Sequence, residues 1–375
     1  MSDRQWISWA EGDETRSARW RSESGPPPER VVVADDGLKA DAAVRLARGG
    51  TAILWRGDFQ NARQLLTAMG RRVDRERRRP APTPLEAFRR QRQAQARRAR
   101  TLGALLVPFD PGHVVPLRRA PDVRQACAEA YGPADEPVVG SLRELLGVIG
   151  AHEWRKKGVD VPALGARVHP HYGVFSPVRG EYVDLVAEAP LPARDLAFDI
   201  GTGTGVLTAV LAHRGVERIV ATDQDPRALA CARANLARLG FAERAEVVRA
   251  DLFPPGRAPL IVCNPPWVPA RPGSALEAAV YDPDSRMLRG FLDGLAAHLA
   301  PGGEGWLILS DLAEHLGLRP RADLLAWIEA AGLAVVARLD TRPRHRRASD
   351  ESDPLHAARA AEVTSLWRLT AAHPG

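Results

Sequence analysis

The chain has little cysteine, little lysine and few aromatic residues. Its 375 residues include 3 Cys and 3 Lys, and 6% are Phe, Trp or Tyr. The cysteines at positions 127, 231 and 263 form no Cys-x-x-Cys pair, which argues against a disulfide framework and against a zinc cluster. No apolar run reaches the roughly 18 residues that a membrane-spanning helix needs, and the first residues lack the apolar stretch of a secretory signal. These absences predict a cytoplasmic protein that binds neither a membrane nor a metal ion.

The composition is otherwise that of a globular protein. Hydrophobic residues make up 45% of the chain and charged residues 26%, which leaves enough apolar material for a core. The length favours two domains, or one domain with a large extension.

Positive charge is concentrated in one block, residues 63–119. The block contains 15 Arg, no Lys and 4 acidic residues, a local net charge of +11 in a chain whose total is +6. Such a block can attract a phosphate backbone through counterion release, which predicts nucleic-acid contact. A solvated helix surface explains the same pattern, and the sequence leaves both interpretations open.

The first 165 residues predict a tail and a helical region. Residues 1–30 place Trp6, Trp9 and Trp20 among charges and end in Pro26–Pro28, so we predict a flexible tail. Residues 31–165 predict a basic, mainly helical substrate-recognition region. Its predicted helices are 38–48, a stretch after Asp58, 85–106 and 142–149, with one strand at 51–55.

The pattern changes at about residue 166, where short apolar runs alternate with helical segments. The predicted strands are 196–200, 218–222, 246–249, 260–263, 306–309, 335–339 and 364–369; the predicted helices are 205–213, 227–239, 286–299 and 322–331. Alternation of this kind indicates a mostly parallel sheet that is covered on both faces. Residues 166–375 therefore predict an α/β domain with a seven-stranded doubly wound, Rossmann-like sheet and an antiparallel edge strand.

Polar and glycine residues follow three of the predicted strands. The first strand ends in a glycine turn, the second in Asp223 and the third in Asp251 and Leu252; the turn comprises Asp199, Gly201, Gly203 and Gly205. Strand ends of a parallel sheet meet at one edge, where ligands bind, and glycines let a ligand approach the backbone. Asp223 can hydrogen-bond the hydroxyls of a ribose or cap the next helix, and Asp225 is better placed for the cap.

The fourth strand ends in Asn264, Pro265, Pro266 and Trp267. The two prolines fix the backbone and remove two N–H donors, so carbonyl oxygens are exposed as acceptors beside the Asn264 amide. A planar NH₂ group can donate to the Asn264 side-chain oxygen and to the Pro265 carbonyl, and it can stack on Trp267. This geometry orients a nitrogen lone pair toward a methyl donor, so positioning supplies most of the catalysis. A rigid turn capped by a core tryptophan is the structural alternative.

Residues 168–370 resemble class I S-adenosylmethionine-dependent methyltransferases of the small-methyltransferase group. The group includes release-factor glutamine N5-methyltransferases and RNA and DNA enzymes that methylate amino groups. The resemblance implies S-adenosyl-L-methionine as cofactor, with its methionine part at Asp199 and the three glycines, its ribose at Asp223 and its adenine at Asp251 and Leu252. It implies that Asn264 and Pro265 bind the acceptor nitrogen, with Pro266 and Trp267 lining the substrate site.

A second segment resembles two families at once. Gly173-Val174-Phe175-Ser176 is similar to guanine-N2 RNA methyltransferases, and Pro177-x-Arg179-x-Glu181 is similar to a segment of release-factor enzymes. The resemblance adds Phe175 and Glu181 to the expected substrate site. Two macromolecular substrates follow: a protein glutamine, as in a release factor, which we favour, or an exocyclic amine of RNA or DNA. A nucleic-acid-binding module with an inactive methyltransferase domain is the non-enzymatic alternative.

Overall fold

The computed structural model describes residues 6–75, 81–178, 180–273, 277, 279–343 and 350–372. The chain divides into two compact units. The N-terminal unit comprises residues 1–81 and 89–153, and the C-terminal unit comprises residues 82–88 and 154–375. The described part of the chain contains no helix that is both long and apolar enough to cross a membrane.

The N-terminal unit is an α/β structure built on a six-stranded sheet of order β1-β2-β6-β5-β4-β3. The strands are β1 (Trp6–Glu11), β2 (Glu14–Arg21), β3 (Arg30–Ala34), β4 (Thr51–Trp55), β5 (Leu105–Phe109) and β6 (Val138–Ser141). The helices are α1 (Ala40–Arg48), α2 (Phe59–Asp74), α3 (Pro84–Gly103), α4 (Arg124–Tyr131) and α5 (Leu142–Lys157), with a 3₁₀ turn at Pro111–His113. The first residues of α3 and the last of α5 are assigned to the C-terminal unit.

The structure corrects the prediction of a flexible tail at residues 1–30. Strands β1 and β2 form an antiparallel hairpin, and β2 pairs with β6, so described residues of this segment are part of the sheet. Ile7 and Trp9 are buried while Trp6 and Ser8 are exposed, which is the period-two alternation of a half-buried strand. The charges around the tryptophans face solvent and hid this alternation.

Helices predominate in residues 31–165, as predicted, but the prediction missed most of the strands in this region. Predicted helices did form over α1, α2 and α3, but the segment contributes four strands to the sheet. The predicted helix 85–106 ends at Gly103, and Leu105 begins the fully buried strand β5. Strands β5 and β6 adjoin helices α3 and α5 with at most one residue between them, so their short apolar runs merge with the helical pattern.

The C-terminal unit contains a seven-stranded sheet of order β11-β10-β9-β12-β13-β15-β14. Its strands are β9 (Leu196–Ile200), β10 (Arg218–Asp223), β11 (Ala245–Arg249), β12 (Ala258–Cys263), β13 (Leu299–Ser310), β14 (Leu333–Thr341) and β15 (Thr364–Ala371), preceded by a hairpin of β7 (Val159–Val161) and β8 (Ala166–Val168). Its helices are α6 (Glu181–Glu188), α7 (Val206–His213), α8 (Pro226–Arg238), α9 (Arg286–His298), α10 (Leu312–His315), α11 (Arg321–Ala330) and α12 (His356–Ala361). Short 3₁₀ turns lie at Pro162–Leu164, Ala242–Arg244 and Pro283–Ser285.

Helices cover both faces of this sheet. One apolar layer joins α6, α7 and α8 to the sheet, and a second joins α9 and α11 to its other face. The predicted seven-stranded doubly wound fold is therefore confirmed. The antiparallel strand β15 lies second from the edge, between β13 and β14. Its Leu366 and Leu369 are fully buried, as in an interior strand, whereas Val336 of the edge strand β14 is 55% exposed.

The contribution of the β1–β2 hairpin to stability can be tested with a matched pair of substitutions. Ile7→Ala removes a buried side chain (2% exposed) and should lower the free energy of unfolding by about 2–5 kcal/mol. Trp6→Ala removes an exposed neighbour on the other side of the same strand and should cost less than about 1 kcal/mol. Urea unfolding followed by fluorescence measures both. Equal, small effects would show that the hairpin is not part of the folded core.

Candidate active site

The candidate site lies where neighbouring parallel strands of the C-terminal sheet end. Strand β9 pairs with β10 on one side and with β12 on the other. Cys263 at the end of β12 stands opposite Ile200 at the end of β9. Asn264 and Gly201, the residues that follow, therefore start side by side at the carboxyl edge of the sheet. The glycine turn and the proline turn, which the sequence predicts to face each other, are adjacent in the structure.

The glycine turn leaves open space at its centre. Gly201, Gly203 and Gly205 have φ values of 73°, 56° and 80°, a region that favours glycine. A Cβ atom at Gly205 would lie 3.1 Å from the Cα of Ala232, so close packing on α8 also requires glycine there. A Cβ atom at Gly203 would have nothing within 4 Å among the described residues. The backbone at Gly203 is thus open to a ligand.

Asp199 is a buried carboxylate with one oxygen that lacks a partner. Its Oδ2 accepts hydrogen bonds from Thr202 Oγ1 (2.7 Å), Thr208 Oγ1 (2.6 Å) and Thr208 N (3.1 Å). Its Oδ1 is buried and has no hydrogen-bond partner within the described ranges. Burial raises the pKa of this carboxyl against the opposing effect of its hydrogen bonds. An orphaned buried acceptor of this kind is suited to a cationic or N–H-donating ligand.

Asp223 is fixed by two backbone donors. Gly203 N donates to its Oδ2 and Asp225 N to its Oδ1, each over 3.0 Å. Asp225 itself caps α8, since its side chain accepts from Arg227 N over 2.9 Å. The expected cap by Asp225 is thus present, and burial raises the pKa of Asp223. Asp223 stays the predicted ribose ligand.

The predicted adenine residues lie at the end of β11. Asp251 is exposed and accepts a hydrogen bond from Gln224. Leu252 has a φ of 72° although it is not glycine, and its carbonyl accepts from Thr222 Oγ1 over 2.6 Å. This unusual backbone conformation is therefore stabilised from the neighbouring strand β10, and it turns the chain at the rim of the crevice.

The proline turn is fastened by its own tryptophan. Trp267 Nε1 donates to Asn264 Oδ1 over 2.8 Å, which sets the orientation of the amide. Pro265 is buried, and Trp267 is half-buried between apolar clusters. The buried Arg319 donates from Nη2 to the Trp267 carbonyl over 3.4 Å. Trp267, which the sequence predicts to stack on the acceptor, thus also holds the Asn264 amide, a role that its spacing of three residues from Asn264 could have signalled.

The second substrate segment is described only in part. Phe175 is half-buried in the 169–178 loop, and Glu181 is buried at the start of α6. The pKa of Tyr182 is raised by burial, and further by the nearby Asp199 and Glu181 carboxylates. Arg179 lies outside the described residues.

The basic block 63–119 lies on α2, on α3 and after β5, and residues 77–79 are outside the described ranges. Several of its arginines neutralise neighbouring carboxylates: Arg72 pairs with Asp41, Arg98 with Asp74, and Arg118 and Arg119 with Asp58. Exposed arginines at positions 89, 97 and 100 lie along α3. The net charge that this surface presents is smaller than the sequence count indicates.

Histidine, cysteine and carboxylate side chains form no group of three suited to a metal ion within the described residues. His169, which the sequence places two residues before His171, bonds instead through Nδ1 to the Arg155 carbonyl over 2.7 Å. The His169 ring thus connects the loop to the end of α5.

Residues 166–319 match the model of the methyltransferase small domain. The chain is 36% identical over 183 residues to a release factor glutamine methyltransferase of Cereibacter sphaeroides, a match that covers 44% of this chain and 63% of that protein. It is 36% identical over 144 residues to a ribosomal protein L11 methyltransferase of Pelotomaculum thermopropionicum, covering 38% of this chain and 39% of that protein.

A third relative is named as an RNA methyltransferase. The chain is 31% identical over 144 residues to a tRNA1(Val) (adenine(37)-N6)-methyltransferase of Shewanella loihica, covering 36% of this chain and 59% of that protein. The chain thus spans less than two thirds of each of these three relatives. The matches confirm a class I methyltransferase domain and S-adenosyl-L-methionine as its cofactor, and they leave the acceptor undecided.

The residues of this methyltransferase domain suit that cofactor. S-Adenosyl-L-methionine carries a positively charged sulfonium and an ammonium group, and two carboxylates, the buried Asp199 and the half-buried Asp223, lie at the glycine turn. A cation compensates the desolvation that raises the pKa of each carboxyl. The open space at Gly203 and the free Oδ1 of Asp199 would receive the methionine part, and Asp223 the ribose hydroxyls.

The substitution Asp199→Asn tests two effects of this carboxylate separately: its effect on folding stability and its contribution to cofactor binding. Burial raises the pKa of Asp199, so ionisation opposes folding as the pH rises from about 4, the ordinary carboxyl value, through the raised value. Asp199→Asn should therefore have an equal or higher Tm at neutral pH, an advantage that disappears below about pH 4. Affinity for S-adenosyl-L-methionine should fall about tenfold or more, because a hydrogen bond to a charged group is lost.

Scanning calorimetry at the two pH values and titration calorimetry with the cofactor measure these effects. A lower Tm at neutral pH combined with unchanged affinity would contradict the assignment of Asp199 to the cofactor site.

Proposed function

We propose that the protein is an S-adenosylmethionine-dependent N-methyltransferase that acts on a planar amide or amino nitrogen of a macromolecule. The observation that carries the proposal is the pairing of β9 with β12, which puts the Asn264 amide beside the glycine turn. If the proline turn were only structural, the buried Asp199 Oδ1 at the adjacent strand end would have no reason to lack a hydrogen-bond partner.

In this proposal the chain acts by positioning. The Trp267 indole leaves Asn264 Oδ1 with a second lone pair, which accepts one N–H of the acceptor. The Pro265 carbonyl accepts the other N–H, and the two prolines fix the backbone that carries it. Two acceptors in fixed positions orient the nitrogen lone pair toward the methyl group. This orientation lowers the activation barrier of methyl transfer. The bound cofactor supplies the methyl group on its sulfonium.

A glutamine side chain is the favoured acceptor. The chain is 36% identical over 183 residues to a protein named as a release factor glutamine methyltransferase, and further relatives of that name are 33–39% identical over 132–189 residues. The Pro177-x-Arg179-x-Glu181 segment supports the same acceptor. A primary amide offers the two N–H donors for which Asn264 and Pro265 provide acceptors.

An exocyclic base amine is the second candidate. It is supported by the similarity to a tRNA adenine-N6-methyltransferase and by the exposed arginines on α3. The Gly173–Ser176 segment also resembles RNA enzymes. In this case residues 63–119 would contact the phosphate backbone, and transfer would weaken steeply with salt.

The acceptor class can be tested by transfer of tritiated methyl groups into a cell extract, followed by separate digestion with RNase and with protease. We expect incorporated label to become soluble with protease if the acceptor is a glutamine. Label released by RNase instead selects the base amine. No incorporation above that of a heat-inactivated enzyme would contradict the proposed activity itself.

The turn can be tested by Asn264→Ala, which removes an acceptor that acts on the reacting nitrogen. We expect the rate of label transfer to fall about 100-fold or more, with cofactor affinity changed less than about threefold. Trp267→Phe keeps the ring and the apolar packing but removes the indole donor. It should therefore lose less activity than Asn264→Ala. Full activity of Asn264→Ala would rule out the role of this amide.

A further inference from the structure

Helix α8 supports two segments of the site along one face. Gly205 of the glycine turn packs against Ala232, with the missing Cβ position 3.1 Å from the alanine Cα. Val174 of the 169–178 loop is buried against Ala228 and Cys231 of the same helix. Residues three and four apart share a face of a helix, so both segments lie on the same side of α8.

One side chain on this face bonds to both segments. Asn235 is buried, and its Oδ1 accepts from His169 N over 2.8 Å. Its Nδ2 donates to the His169 carbonyl over 3.2 Å and to the Thr204 carbonyl over 3.0 Å. The amide therefore connects the first residue of the 169–178 loop to the residue between Gly203 and Gly205.

Through these three hydrogen bonds, the single side chain of Asn235 connects the backbone at His169 to the backbone at Thr204. A buried carbonyl that loses its donor keeps the full penalty of desolvation, so neither His169 nor Thr204 can move away from Asn235 without cost. Thr204 lies next to the open space at Gly203, and Val174 to Pro177 follow His169 in the loop. A ligand that fixes the glycine turn thus also restricts the segment predicted to contact the acceptor.

We propose that Asn235 is a positioning residue that couples cofactor binding at the glycine turn to the order of the 169–178 loop. This inference rests on the proposed function, because it takes the glycine turn as the cofactor site. The coupling is reciprocal by thermodynamic necessity, so an acceptor that orders the loop also tightens cofactor binding. Asn235 contacts neither the cofactor nor the acceptor in this arrangement, and it acts through Thr204 and His169.

Amide hydrogen exchange tests the coupling without knowledge of the acceptor. The readout is the exchange of Val174 N and Val178 N, which bond to the carbonyls of His171 (3.1 Å) and Ser176 (2.8 Å) and not to Asn235. Addition of saturating S-adenosylhomocysteine, the demethylated cofactor, should slow their exchange in the unaltered protein about fivefold or more. In Asn235→Ala the same addition should slow it less than about twofold.

A second variant covers the case in which Asn235→Ala does not fold. Asn235→Asp has nearly the same shape and keeps the acceptor for His169 N, but its carboxylate cannot donate to the two carbonyls. We expect it to lose the effect of the cofactor on the loop as well. The pH dependence adds a signature: protonation of this aspartate restores one donor, so protection by the cofactor should recover as the pH falls, only in this variant.

Cys231→Ala is the matched control. The Cys231 sulfur accepts from His171 N over 3.4 Å and lies 3.6 Å from the His169 carbonyl, so it contacts the same loop. It also receives a weak contact from Asn235 Nδ2 at 3.5 Å but makes no hydrogen bond to the glycine turn. Cys231→Ala should therefore loosen the loop while preserving its response to the cofactor.

The outcomes separate the coupling from the proposed function. Failure of S-adenosylhomocysteine to bind the unaltered protein would contradict the proposed function. Binding without protection of Val174 and Val178 would overturn the coupling alone. Protection that persists in both Asn235 variants, or disappears equally in Cys231→Ala, would also overturn it. So would complete loss of binding in both Asn235 variants at unchanged Tm, since the amide would then belong to the cofactor site itself.

Discussion

Two parallel strands, β9 and β12, lie next to each other in register, and the arrangement of the site depends on this pairing. Cys263 stands opposite Ile200, so the turns that follow both strands begin at the same height. A shift of one residue would turn every side chain of β12 to the other face of the sheet. Because Ile261 and Val262 are fully buried on opposite faces, such a shift is strongly disfavoured. The apolar layers therefore keep the two turns together.

The site also carries an electrostatic cost. Burial raises the pKa of both Asp199 and Asp223. In addition, Asp199 Oδ1 has no hydrogen-bond partner among the described residues. Charges in such positions oppose folding unless a counter-charge arrives. Apolar packing on both faces of the sheet offsets this cost, and in the proposed function binding of the cationic cofactor relieves it. The same two carboxylates that lower the stability of the unliganded protein are therefore those proposed to bind the cofactor.

The N-terminal unit shows where local sequence patterns fail. Thr51–Trp55 is a continuous apolar run and was recognisable as a strand, but β5 and β6 have only five and four residues beside helices. The hairpin of β1 and β2 carries a clear alternation at Ile7 and Trp9, yet the surrounding charges and the proline run at 26–28 suggest a tail. Burial of Ile7 depends on a layer that includes Leu54, Leu106 and Val139, residues 47 or more positions away. Long-range packing of this kind overrides local composition.

The sequence alone determined the alternation of strands and helices after residue 166, the polar strand ends and the proline turn with its Asn264 amide. Each of these depends on local periodicity or on the chemistry of a few neighbouring residues. Only the tertiary structure decided that β15 lies inside the sheet and that Asn235 joins His169 to Thr204. Hydrogen bonds between residues 31 or 66 positions apart depend on how helices and strands pack, and no local pattern encodes that packing.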